Sequence, residues 1–454
     1  MKKIFNYLFK MWIELTQNAP NETVTEEPSK RDVGDSHTTE IQQHLEGNHN
    51  TTVGLVREQS KVFSYVAGNV YITDTVHAPL NELSQAPPQK KHFIDRPEVR
   101  LDLKTGLFGL SNATDILENP EGQVPLNSAF YVKRPPIETD CYETILKPGA
   151  LIRIKAPRQM GKTSLISRIL HHTNQQEYRT VSLNFQSADA EFLTSLDKFL
   201  QWFCVSISYK LNLVDRLDDY WKGFLGSKNK CTNYFEQYLL SEINSPIVLG
   251  LDEVDEVFKY PAIASDFFAL LRVWHEQAKN EVLWQKLRLV IAHSREVYIP
   301  LNINQSPFNV GLPIEIPFLN QIQILELIQR HGLHWNEEKI KHLMMLVSGH
   351  PYLLRVALYQ IARGRMTLEE LKQVAPTEEG PYADHLRRHL LNLEKDAKLL
   401  VALQNVVIAE SSIYVDTVEA FKLRSMGLVK YEGNKVMPLC DLYRQYFRER
   451  LGVN

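Results

Sequence analysis

The sequence predicts an α/β fold: a parallel sheet with helices on both faces, followed by a helical segment and a helix–helix–hairpin–helix tail. Three observations carry this. Apolar runs opening at Leu151 and Pro246, and spanning Thr180–Phe185 and Leu287–Ala292, alternate with stretches of helical periodicity. That alternation is the signature of parallel strands joined by crossover helices. The first run passes through a turn into Gly161-Lys162-Thr163-Ser164, which opens a helix, and the run from Pro246 ends in Asp252-Glu253. Ligands in such sheets bind at the carboxyl ends of the strands, where both polar clusters fall.

The totals leave room for two or three domains in 454 residues. A net charge of -3 and a pI near 6.6 exert no pull toward nucleic acid or an anionic membrane. Cys141, Cys204, Cys231 and Cys440 have no metal-ligand spacing and read as reduced thiols of a cytoplasmic protein. No apolar run approaches the roughly 20 residues of a spanning helix, so no transmembrane segment is expected.

Met1 to Leu15 places Ile4, Leu8, Met11, Trp12 and Leu15 on one helical face, so residues 1–17 are expected to form an amphipathic helix. Residues 18–124 read as a mostly disordered arm, polar and proline-containing. Within it, 45–76 repeats a Gly-Asn pair at Gly47-Asn48 and Gly68-Asn69, each followed by strand-like alternation. These are two short units able to stack between chains, an isolated hairpin, or part of the disordered arm. The folded core is expected over 125–318, a helical lid over 319–375 and a winged helix over 376–454, the last from the order helix, helix, hairpin with a Gly433-Asn434 turn, helix.

The chemistry is read at the strand ends. In a strand–turn–helix of this kind, backbone N–H groups and the helix dipole make an anion cradle. The phosphate loop comprises Ala156, Pro157, Arg158, Gln159, Met160, Gly161, Lys162, Thr163 and Ser164. Lys162 is expected to reach the β- and γ-phosphates of ATP, and Thr163 to ligate Mg²⁺. Ala156 stands where the strict pattern has glycine, which an ordinary backbone conformation tolerates. Asp252, at the end of a neighbouring parallel strand, is expected to hold the Mg²⁺ shell, and Glu253 to orient the attacking water. His293, Ser294 and Arg295 close another strand, either as a sensor of the γ-phosphate or as a plain loop start. Pro351 either begins a helix or packs on the adenine. His385 and His389 are four apart, but with Arg387-Arg388 between them a solvated helix face is expected.

The runs YVKRPPIE, GALIRIKAPRQMGKTSL, IVLGLDEVDEVF, HSREVYIPLNINQSPFNVGLPIEIP and SGHPYLLR resemble the cyanobacterial AAA-like ATPase domain family and, more broadly, the STAND class of signalling P-loop NTPases. The resemblance spans Ser128–Leu451. It implies an ATP- and Mg²⁺-dependent switch, slow in hydrolysis and acting in signalling such as stress or antiphage defence. Lys162, Thr163, Asp252 and Glu253 then take the Walker roles, Arg295 that of the arginine at the sensor strand, Pro351 that of the G-x-P proline and Arg134 that of the arginine ahead of the loop. The 45–76 stretch is similar to short amyloid-type signalling motifs that precede bacterial signalling NTPases. The partners implied are further copies of the chain and a protein effector or sensor, since no repeat array follows the winged helix within this sequence. DNA is the disfavoured partner: Asp416–Met426 mixes Lys422 and Arg424 with Asp416 and Glu419. A DNA-acting AAA+-type ATPase stands as the alternative.

Overall fold

Alternating residues between Gln42 and Thr73 build four antiparallel strands in the computed structural model: β1 (Gln42–His44), β2 (Val53–Glu58), β3 (Lys61–Val66) and β4 (Asn69–Thr73), in sheet order β1-β2-β3-β4. Otherwise the structure describes residues 117–294 and 307–452. Glu58 pairs with Lys61 and Val66 with Asn69, leaving two residues between successive strand ends. Over these residues the structure forms a four-stranded antiparallel meander. The meander lies in a unit separate from residues 98–454. The helix expected over 1–17 and the residue Arg295 lie outside the described residues.

Five parallel strands form the second sheet: β5 (Leu151–Lys155), β6 (Arg179–Asn184), β7 (Ile247–Asp252), β8 (Leu287–His293) and β9 (Leu312–Glu315), in the order β6-β7-β8-β5-β9. Every residue of β7 and β8 is buried, which explains their largely apolar sequences. Successive side chains enter different cores. Leu249, Leu251, Leu289 and Ile291 join an aromatic core with Phe199, Phe203, Phe267 and Trp274. Val248, Val290 and Ala292 pack instead with Ile152, Ile154, Leu165 and Ile169. The covering helices are α1 (Ile137–Ile145), α2 (Lys162–Asn174), α3 (Leu196–Lys210), α4 (Ser227–Tyr234) and α5 (Pro261–Gln277).

Two expectations are corrected here. Asp252 is not on the strand beside the phosphate loop, because β8 lies between β5 and β7. No strand is expected between Ala292 and the Gly433-Asn434 hairpin, whereas β9 pairs with β5 through Ile152 and Leu312, and through Ile154 and Ile314. Pro313 obscures it in sequence, yet an edge strand tolerates a residue without an N–H donor.

Beyond the sheet come α6 (Gln321–Arg330), α7 (Glu337–Val347), α8 (Pro351–Ala362), α9 (Leu368–Val374), α10 (Ala383–Leu393), α11 (Ala397–Ile408), α12 (Thr417–Ser425), the hairpin β10 (Val429–Glu432) and β11 (Lys435–Pro438), and α13 (Asp441–Arg450). Leu327, Leu343, Leu354, Leu386, Leu403, Leu423 and Phe447 share one core, so apolar packing is continuous across this whole segment.

The folded part also starts before Pro125. Leu117 is buried, and residues 117–131 form a strap whose carbonyls are held by arginines from distant helices. Arg355 Nη2 donates to Glu118 O at 3.0 Å, and Arg168 donates to Val124 O at 3.1 Å and to Pro125 O at 2.8 Å. Arg330 Nη1 donates to Tyr131 O at 2.8 Å. The guanidinium groups of Arg168 and Arg355 also lie 3.5 Å and 4.0 Å from the ring centres of Tyr131 and Phe130. With no ladder partner, the strap relies on these side chains to satisfy its backbone.

Candidate functional site

The turn after β5 folds back over the start of α2. Gly161 has φ +96, a conformation that favours glycine, and caps the helix. Gln159, with φ +62, is left-handed without being glycine. Ala156 is not among the residues of positive φ, so its methyl group costs the turn no strain. Lys162 is buried, and its Nζ donates to the carbonyls of Ala156 at 3.2 Å and Pro157 at 3.1 Å. Met160 is buried and its carbonyl accepts from Arg134 Nη2 at 3.2 Å, while Arg158 is exposed. The Ser164 hydroxyl accepts from Val124 N at 3.0 Å and so fastens the strap to α2, a structural role.

Thr163 Oγ1 donates to Asp252 Oδ2 at 2.6 Å, joining the start of α2 to the end of β7. Asp252 Oδ1 accepts from Glu253 N at 3.0 Å. Glu253 has φ +53 and a buried Oε2 with no hydrogen-bond partner. Desolvation pushes its carboxyl above the usual range, against the opposing pull of Lys162. Desolvation also lowers the Lys162 ammonium, whose charge is sustained chiefly by Glu253, then by Asp255 and Asp252. Asp255, which sequence reasoning missed, accepts from Ser294 N at 2.7 Å and so braces the end of β8. His293 and Ser294 are both buried at that end.

These groups meet in a cleft of about 610 Å³ lined by Arg134, Gln159, Gly161, Lys162, Thr163 and Glu253. The opposite wall is the strap with Phe130 and Tyr131, then Leu319 and Leu327, Pro351 and Tyr352 at the start of α8, and the arginines Arg355 and Arg388. Pro351 thus begins a helix and also faces the cleft. Arg388, four residues along α10 from Asp384, whose carbonyl its Nε meets at 3.0 Å, was hidden by its polar surroundings in sequence. The solvated face expected for His385 and His389 is corrected: His385 is 4% exposed and lies between Gln159 and Tyr443.

The residues fit Mg·ATP. Arg134 Nε and Glu253 Oε2 are buried polar atoms without partners, and both residues line the cleft. Lys162, Arg134 and Arg388 offer cations to a polyphosphate. Among the described residues no three His, Cys, Asp or Glu side chains gather as a metal cage. A hard cation here would take few protein oxygens, which is how Mg²⁺ is commonly held beside phosphates.

Burial also dictates a pH response. His331 is held down to about 4 and His350 to about 3, from an ordinary 6.5, mainly by desolvation. Both are neutral when folded, so unfolding below pH 6.5 takes up protons and stability falls as pH drops toward 4. The slope is about 1.4 kcal/mol per pH unit for each histidine. The urea midpoint is expected to fall between pH 7 and pH 5, and a constant or rising midpoint would contradict this burial.

Comparison with known proteins follows the same lines. A family model described as an AAA-like domain matches residues 119–449. An uncharacterized WD repeat-containing protein of Synechocystis sp. is 23% identical over 332 residues, covering 66% of this chain and 28% of that protein. The chain therefore spans well under half the length of that curated relative. Among solved structures, the Walker-type ATPase of Pyrococcus abyssi is similar with a TM-score of 0.51 at 14% identity, over 73% of this chain and 99% of that one, a likeness of fold. The Aeropyrum pernix ORC2 protein, in its ADPNP–ADP complexes, gives a TM-score of 0.44 at 14% identity, over 72% of this chain and 98% of that one. Among the described residues no helix is long and apolar enough to cross a membrane.

Proposed function

The chain belongs to the AAA-like domain family, and from that premise we propose that it is an ATP-binding, slowly hydrolysing switch of the STAND type whose nucleotide state controls self-association. The observation that carries this is the 2.6 Å bond between Thr163 and Asp252, beside Lys162, in a cleft shared by the sheet and the C-terminal helices. Mg·ATP, when bound, supplies the phosphoanhydride and the cation that neutralises its oxygens. Thr163, which donates a hydrogen bond to Asp252, and Asp252 itself would hold the Mg²⁺. Lys162 would hold phosphate oxygens in place of the loop carbonyls, with Arg134 and Arg388 adding positive charge from the lining. Glu253 orients a water and accepts its proton. Phe130, Pro351 and Tyr352 form the apolar end that takes the base.

Two halves of the chain touch one pocket, so ligands can differ in their affinity for two arrangements of those halves. The tail α10–α13 with its hairpin is read as a winged helix turned to protein contacts. Lys422 and Arg424 of α12 are already paired, with Asp396 at 2.7 Å and Glu315 at 2.8 Å, which leaves them poorly placed for DNA phosphates. A DNA-acting ATPase is the competing reading, and steep salt dependence of duplex binding would favour it.

Light scattering on the full chain tests the switch. Mass is expected to rise with a non-hydrolysable ATP analogue, relative to ADP and to no nucleotide. One mass in all three conditions would remove self-association from the proposal.

A further inference from the structure

Two contacts tie the C-terminal segment to the turn of the phosphate loop, and a third ties it to the neighbouring strand β9. His385 Nδ1 on α10 lies 2.7 Å from Gln159 Oε1, and its Nε2 lies 2.8 Å from Tyr443 Oη on α13. Gly427, between α12 and β10, has φ +79, and a Cβ built there would come 3.0 Å from Pro157 Cβ. Arg424 pairs with Glu315 at the end of β9, the strand beside β5. The tail therefore rests on residues 157–159 through side-chain chemistry and close packing together.

The bonding around His385 has a direction. A neutral imidazole offers one donor and one acceptor. With the Gln159 oxygen facing it, Nδ1–H donates to Oε1, and Nε2 accepts from the Tyr443 hydroxyl. Burial keeps this ring well below its ordinary pKa, so it is neutral near pH 7. His350 and His389, with ring centres 6.0 Å and 4.7 Å away, are held neutral as well. Gln159 is the left-handed residue of the loop that is not glycine, and its side chain is anchored at one end of this chain of bonds. Lys162 holds two carbonyls of the same turn. Giving them up to phosphate oxygens would remove that hold on the turn that carries Gln159.

We propose that His385 is a positioning residue that conveys the state of the phosphate loop from Gln159 to Tyr443, so that the loop and the last helix change together. The proposal rests on the nucleotide-binding reading of that loop. It assigns a role to a histidine that touches neither phosphate nor metal.

Hydrogen exchange on the full chain tests it, without nucleotide, with Mg·ADP and with Mg²⁺ and a non-hydrolysable ATP analogue, in the wild type, in Tyr443→Phe and in His385→Ala. In the wild type, nucleotide is expected to slow exchange at 158–170 and to alter it at 441–450. Tyr443→Phe keeps the ring and loses the hydroxyl. It should retain the response at 158–170, while the nucleotide-dependent difference at 441–450 shrinks by about threefold or more. His385→Ala should do the same. A purely packing role would change 441–450 equally with and without nucleotide. If His385→Ala does not fold, Tyr443→Phe decides alone. A wild-type response at 441–450 in Tyr443→Phe overturns the relay, as does a wild type in which only 158–170 responds; both leave nucleotide binding standing. A wild type without response at 158–170 removes the nucleotide reading and the relay with it.

Discussion

Replacing Lys162 with alanine is expected to weaken ATP binding by about 3 kcal/mol, roughly 100-fold, the scale of losing charge-assisted bonds to phosphate. The residue is 4% exposed, so water replaces the lost ammonium poorly. It also sits among Glu253, Asp255 and Asp252, which without it would turn the pocket floor against a polyanion. Titration with a fluorescent ATP analogue measures this directly. Unchanged affinity would mean that the loop is not the phosphate site. Because Lys162 also satisfies the carbonyls of Ala156 and Pro157, its removal should perturb the empty loop as well. Thr163→Ala offers a milder comparison: it leaves that ammonium in place and should weaken binding chiefly when Mg²⁺ is present.

The parts of this site that could be read from sequence are those whose cause is local. Gly161 is demanded by a left-handed turn at a helix start, and β7 and β8 betray themselves as largely apolar runs because both faces are buried. Lys162 and Thr163 could be singled out because they open a helix just after a strand, and Asp252 and Glu253 because they close a strand that its apolar run locates. What escaped has non-local causes. The insertion of β8 between β5 and β7 is a matter of topology, which no window of residues encodes. The strap was hidden because its backbone partners are side chains, such as Arg355 for Glu118, 237 residues apart. His385 looked solvated because its own helix is polar around it, and only the approach of Gln159 and Tyr443 buries it. Arg388 was set aside for the same reason.

Glu253→Gln should separate binding from turnover. The amide keeps the size of the side chain and removes the base, so single-turnover phosphate release should slow by about 10²–10⁴-fold. Binding should hold or tighten, because a carboxylate facing the γ-phosphate repels it, and that repulsion disappears. One opposing effect is built into the pocket: Glu253 is the foremost of the charges that sustain the Lys162 ammonium. In the loaded site the phosphates sustain it instead, so the effect should surface only in the empty protein, as a more readily deprotonated lysine. The pH profile gives an independent reading. Desolvation raises the Glu253 carboxyl above its ordinary 4.5. A base must be deprotonated to act, so wild-type turnover should fall on acidification through an inflection above that value. The inflection should be absent in Glu253→Gln. Equal turnover in the two proteins would place the water-activating group elsewhere, and a Glu253→Gln protein that no longer binds ATP would show that this carboxylate builds the pocket instead of working in it.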